Sequence, residues 1–81
     1  FNPVVSRLAK LIVNKFEYTE SPTLQRDLTL EEMAGMIATS PVVVCRLLYR
    51  FQADGILSIN RASITLNDRK ALECLVGQED Q

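Results

Sequence analysis

Histidine is absent from this 81-residue chain, and cysteine and glycine are scarce, with two and three copies respectively. Without histidine the chain lacks both the commonest general base and the commonest zinc ligand. Cys45 and Cys74 are far apart, form no CxxC pair, and so read as reduced thiols in the core or at its boundary. The scattered glycines form no phosphate-cradling loop, and neither a GxSxG elbow nor a carboxylate pair in an evident pocket is present. These absences exclude an enzyme as the expected function, and no metal or cofactor is implied. Apolar runs are broken by charge within a few residues, far short of the roughly 18 that a membrane span needs. No leader peptide is visible at the start, so a cytoplasmic, membrane-free location is expected. A basic excess is also missing. The net charge is −1, which weighs against a strongly cationic nucleic-acid-binding surface.

What is present is the composition of a soluble globular fold: 47% hydrophobic and 23% charged residues, in a length suited to one domain. The charges are unevenly placed. Between Ser40 and Leu66 lie Arg46, Arg50 and Arg61 against one acid, Asp54, while the other carboxylates fall before and after that stretch. A small basic face on a near-neutral body is the consequence.

Periodicity gives the elements. Val5, Leu8, Ile12 and Phe16 at helical spacing predict an amphipathic helix within residues 1–17, with Pro3 suited to its first turn. Residues 17–23 read as a surface loop, and 24–28 as a short extended piece. Thr29 followed by Glu32 and by apolar Met33, Met36 and Ile37 is a capping box opening a short helix. Thr39, Ser40 and Pro41 stop it after about two turns. Ser40 then caps a second helix from Pro41 to about Asp54, with Val44, Leu47, Leu48 and Phe51 inward and Gly55 as the left-handed stop. Two helices joined by so tight a break, over 29–54, predict a helix-turn-helix. Ile56–Ile59 and Ser63–Leu66, joined by Asn60-Arg61-Ala62, predict a β-hairpin wing over 56–66. Asn67 or Asp68 caps a last helix over 68–75 with Ala71, Leu72 and Leu75 inward, and a frayed tail is expected from Val76 to Gln81. The fold class is thus mainly α with a small β-hairpin: a winged helix-turn-helix filling residues 1–81 as one domain.

From Leu28 to Ser58 the sequence resembles, without a gap, the CRP/FNR family of bacterial transcription regulators. Arg46-Leu47-Leu48-Tyr49-Arg50-Phe51-Gln52, followed by Gly55-Ile56-Leu57, is similar to the RLLxRFQxxGxL of the FNR branch, and Ile64-Thr65-Leu66 and Ala71-Leu72 also fit. The resemblance implies sequence-specific binding of double-stranded DNA. It further implies that a sensory domain and a dimerisation segment precede this domain outside the present chain, that homodimers bind a palindromic site, and that RNA polymerase is a further partner.

In a helix-turn-helix the start of the second helix enters the major groove. The FNR-like pattern there is Glu-x-x-Ser-Arg, and the corresponding residues here are Val42, Cys45 and Arg46, so only the arginine is kept. Arg46 is the first choice as a base reader, since arginine donates two hydrogen bonds to guanine, and Val42 and Cys45 are the other two base-facing positions. Val42 offers only apolar contact, for instance with a thymine methyl, so the operator should differ from the usual family half-site. Thr29, Ser40, Val43, Arg50 and Arg61 are the expected phosphate contacts. Each has a plain alternative: capping for Thr29 and Ser40, hydration for the arginines, and a small boundary residue for Cys45. A different reading makes the Val42/Val43 surface the interface of a winged-helix protein-interaction module, because exposed apolar clusters mark such interfaces.

Overall fold

Leu8, Ala9, Ile12 and Phe16 repeat on one side of Pro3–Glu17, and in the computed structural model that stretch is one helix, α1, with all four residues buried. The structure describes residues 3–17 and 19–77. After α1 come β1 (Thr23–Gln25), α2 (Leu30–Met36), α3 (Pro41–Ala53), β2 (Leu57–Ile59), β3 (Ser63–Leu66) and α4 (Arg69–Gly77). This is the expected winged helix-turn-helix class.

Helix α4 lies against α1 and is capped by Asp68, whose Oδ1 accepts the Ala71 amide at 3.1 Å. Leu72 is fully buried, and the Ser6 hydroxyl, itself without solvent exposure, donates to the Val76 carbonyl at 3.0 Å. That bond, with Val76 packed on the core, corrects the expected fraying from Val76: the helix runs on to Gly77. Residues 78–81 lie outside the described residues. Cys74 is exposed, not a core or boundary thiol, because Leu72, Leu75 and Val76 take the inward side of α4.

The two middle helices turn by 100° across their break, within the range of helix-turn-helix units. The capping box is complete: Thr29 Oγ1 accepts the Glu32 amide and Glu32 Oε1 accepts the Thr29 amide, both at 3.0 Å. Both helices also end alike. The Thr39 amide reaches back to the Ala34 carbonyl (2.9 Å) and the Ile56 amide to the Phe51 carbonyl (2.9 Å), the Schellman closure, with Ala38 (φ 59°) and Gly55 (φ 77°) at the left-handed positions. Glycine takes that conformation without strain, whereas alanine there costs about 1 kcal/mol. Ala38→Gly should therefore stabilise the domain by about 0.5 to 1 kcal/mol. Thermal unfolding checks this: an unchanged or lower melting temperature would show that no strain is held in the turn.

The wing is larger than the expected hairpin. β1 adds to it, giving an antiparallel sheet in the order β1-β3-β2, with Thr23 opposite Thr65, Leu24 opposite Ile64, and Ile59 opposite Ile64 on the other side. The Thr23 and Thr65 hydroxyls pair across the strands at 2.9 Å. Of the extended piece expected over 24–28, only Leu24 and Gln25 are strand. Lys15 Nζ meets Asp27 Oδ1 at 2.6 Å and ties the following loop to α1. Hydrogen bonding from Lys15 holds the Asp27 carboxyl below its ordinary pKa. Phe51, Leu48 and Val44 of α3 join Leu8, Ile12, Met33, Leu57, Ile64 and Leu72 in one core, so α3 is fixed from behind with its opposite face outward. Met36 lies outside this core, exposed by 61%, unlike its α2 neighbour Met33.

Candidate nucleic-acid interface

Once Val44, Leu47, Leu48 and Phe51 have taken the inner side of α3, helical geometry sends Val42, Arg46, Tyr49 and Ala53 to the outer side as one stripe. All four are exposed, Val42 by 60% and Tyr49 by 67%. Val43 and Arg50 flank the stripe on one side. Cys45 and Gln52 flank it on the other, toward the wing, where Gln52 Oε1 accepts the Ile59 amide at 3.1 Å. The RLLxRFQxxG pattern thus has a physical basis in Phe51 as core, Gln52 as the tie to the wing and Gly55 as the left-handed stop.

The two helix starts differ in charge. At α2, Glu31 and Glu32 already occupy the first turn, and the capping box uses the Thr29 amide and a lone pair of its hydroxyl. At α3, Ser40 Oγ accepts the Val43 amide at 3.4 Å, Pro41 stands at the first position, and no acid lies in the first turn. The positive end of the α3 dipole is therefore open to an anion, and that of α2 is met by carboxylates.

Arg46, Arg50 and Arg61 are exposed, and none of the three has an intramolecular hydrogen bond or ion pair among the described residues. Arg61 stands at the wing tip. The turn beneath it is set by Asn60, whose Oδ1 accepts the amides of Ala62 (3.0 Å) and Ser63 (2.8 Å). Val42 is presented outward, but Val43 is half-buried against the core, so the two valines do not form a shared exposed patch. Cys45 is half-buried on the wall of the groove between α3 and the wing.

Two residues of this surface escaped the sequence reading. Tyr49 sits three residues after Arg46 and seven after Val42, so helical spacing alone was enough to find it. Arg26 was not accessible that way, because only the β1–β3 register carries it to the wing. There its amide donates to the Ala62 carbonyl at 2.9 Å, and its guanidinium Nη1 to the Asn60 carbonyl at 3.1 Å. Among the described residues no group of three or more acidic, cysteine or histidine side chains stands close enough to hold a metal.

A nearly perpendicular helix pair, an outward helix face with two free arginines and a hairpin beside it define a winged helix-turn-helix domain. The chain belongs to the family of Crp-like helix-turn-helix domains, whose model matches residues 6–75. Solved structures agree. The chain is similar to a protein of the crp/fnr transcriptional-regulator family from Eubacterium rectale, at 28% identity over 89% of this chain and 32% of that one, with a TM-score of 0.77. It is similar to the CO-dependent transcription factor CooA from Carboxydothermus hydrogenoformans, at 29% identity over 89% of this chain and 36% of that one, TM-score 0.78. The catabolite activator protein of Thermus thermophilus, 18% identical over 94% of this chain and 35% of that one, shares the fold with a TM-score of 0.79. This chain spans about a third of the length of these structures. No curated protein sequence matches it.

Proposed function

We propose that this chain is the operator-reading domain of a cytoplasmic, homodimeric regulator in which sensory and dimerising segments lie outside the 81 residues. The face of α3 around Arg46 enters the major groove. Arg46 reads a guanine, Val42 packs on a thymine methyl, and Cys45 borders the same base pairs. Ser40 with the Val43 amide, Arg50 and Arg61 hold phosphates, and Thr29 adds a contact through its hydroxyl hydrogen, which the capping box leaves free. RNA polymerase would be met by other surfaces of the full regulator.

One observation carries this reading: three exposed guanidinium groups, Arg46, Arg50 and Arg61, stand free of intramolecular partners on α3 and the wing, beside a helix start without an acid. The half-buried Val43 correspondingly weakens a protein-docking role for the valines.

The test is an amide NMR titration of the isotopically labelled chain with a mixed-sequence duplex at low salt. Shifts should concentrate at Thr29, at residues 40–50 and around Arg61, and should fade as salt rises, because counterion release drives phosphate contacts. Shifts spread over all cations, or none in these segments, would sink the groove-docked arrangement and leave a protein partner as the better reading.

A further inference from the structure

Between α3 and the wing, bordering the base-reading face at Cys45 and Tyr49, runs an open groove of about 310 Å³. Its walls include Cys45, Tyr49 and Gln52 of α3 and Asn60 and Arg61 of the wing, with Arg26 contributed from beyond the end of β1, and no carboxylate lines it. Arg26 and Arg61 also line a second depression at the start of α2, so both guanidinium groups border each space. Asp27 lines that second depression and is paired with Lys15 at 2.6 Å.

Arg26 is half-buried and fixed by the Asn60 carbonyl, which engages one of the five N–H donors of a guanidinium. A cation held by a backbone carbonyl on the wing turn is already oriented, and its remaining donors incur little ordering cost when they meet an anion. Opposite it, Tyr49 presents an aromatic ring and a phenol, a surface suited to a sugar and its phosphate.

We propose that this groove is a second DNA-backbone contact, in which Arg26 and Arg61 grip a phosphodiester of one strand while Tyr49 packs on the adjoining deoxyribose. The contact rests on the DNA-binding reading above and extends it. It adds affinity without sequence preference, and it fixes how far α3 is rotated in the groove.

The experiment measures affinity of the 81-residue chain for a mixed-sequence duplex across a salt series, for wild type, Arg26→Ala, Arg26→Lys, Arg61→Ala and Arg50→Ala. Loss of one phosphate contact should weaken low-salt binding about 5- to 10-fold and flatten the log K against log salt slope by about one in both Arg26→Ala and Arg61→Ala, with Arg26→Lys restoring the slope. Because Arg26 also holds the wing turn, its side-chain Nε resonance in the wild type provides a readout that a structural role would not move: it should shift on adding duplex. An Arg26→Ala variant with wild-type affinity and slope, beside a weakened Arg50→Ala, overturns the groove contact and leaves the α3 reading intact. No duplex binding by the wild type overturns both. Inorganic phosphate alone should leave the Arg26 resonance in place, and a saturable shift with it would make the groove a small-anion site instead.

Discussion

Phe51→Ala should destabilise the domain by about 3 to 5 kcal/mol, at least a quarter of the stability a chain of this length holds. Phe51 is 2% exposed and sits where α3 meets the rest of the core. Removing a buried phenyl ring costs about 3 to 5 kcal/mol in lost transfer energy and residual cavity. A chain of this length is expected to hold about 4 to 12 kcal/mol in all. Circular dichroism with urea titration checks it. Phe51→Leu, which keeps most of the volume, should retain a cooperative transition at lower denaturant. If Phe51→Ala instead melts like the wild type, α3 is held by something other than this packing, and the rigid presentation of its outer face would need another cause.

That outer face shows how far the sequence could be read. The helices were legible because their signals are local: the Thr29–Glu32 box, Ser40-Pro41 and Gly55 each act within four residues, and each appears with the expected geometry. Arg46, Val42 and Ser40 lie on the helix that these signals define, so they were legible too. The third strand was not, because Thr23-Leu24-Gln25 has no strong alternation and joins the sheet only through pairing with residues about 40 positions later. Arg26 was lost with it. The tail was misread for a similar reason: the bond that extends α4 to Gly77 comes from Ser6, 70 residues earlier.

The Arg46→Ala variant should lose about 5- to 150-fold in affinity for a selected operator, the roughly 1 to 3 kcal/mol that a bidentate contact to guanine supplies, and the loss should be confined to one position of the half-site. On that point the base-reading assignment stands apart from a merely cationic one. Arg50, on the flank of the same helix and equally free of partners, should behave differently: Arg50→Ala should weaken all duplexes alike and reduce the salt slope by about one. Neither side chain holds the fold, so both variants should melt with the wild type. The measurement is site selection from random duplexes with a dimerised form of each protein, since two linked half-site contacts raise the weak affinity of one module. If Arg46→Ala selects the same sequence as wild type at every position, with affinity reduced uniformly, Arg46 is a phosphate ligand and the bases are read by its stripe neighbours. Val42 and Tyr49 would then be the residues to exchange next, because they are the exposed large apolar side chains of α3, and a thymine methyl is the major-groove feature that an apolar surface distinguishes best.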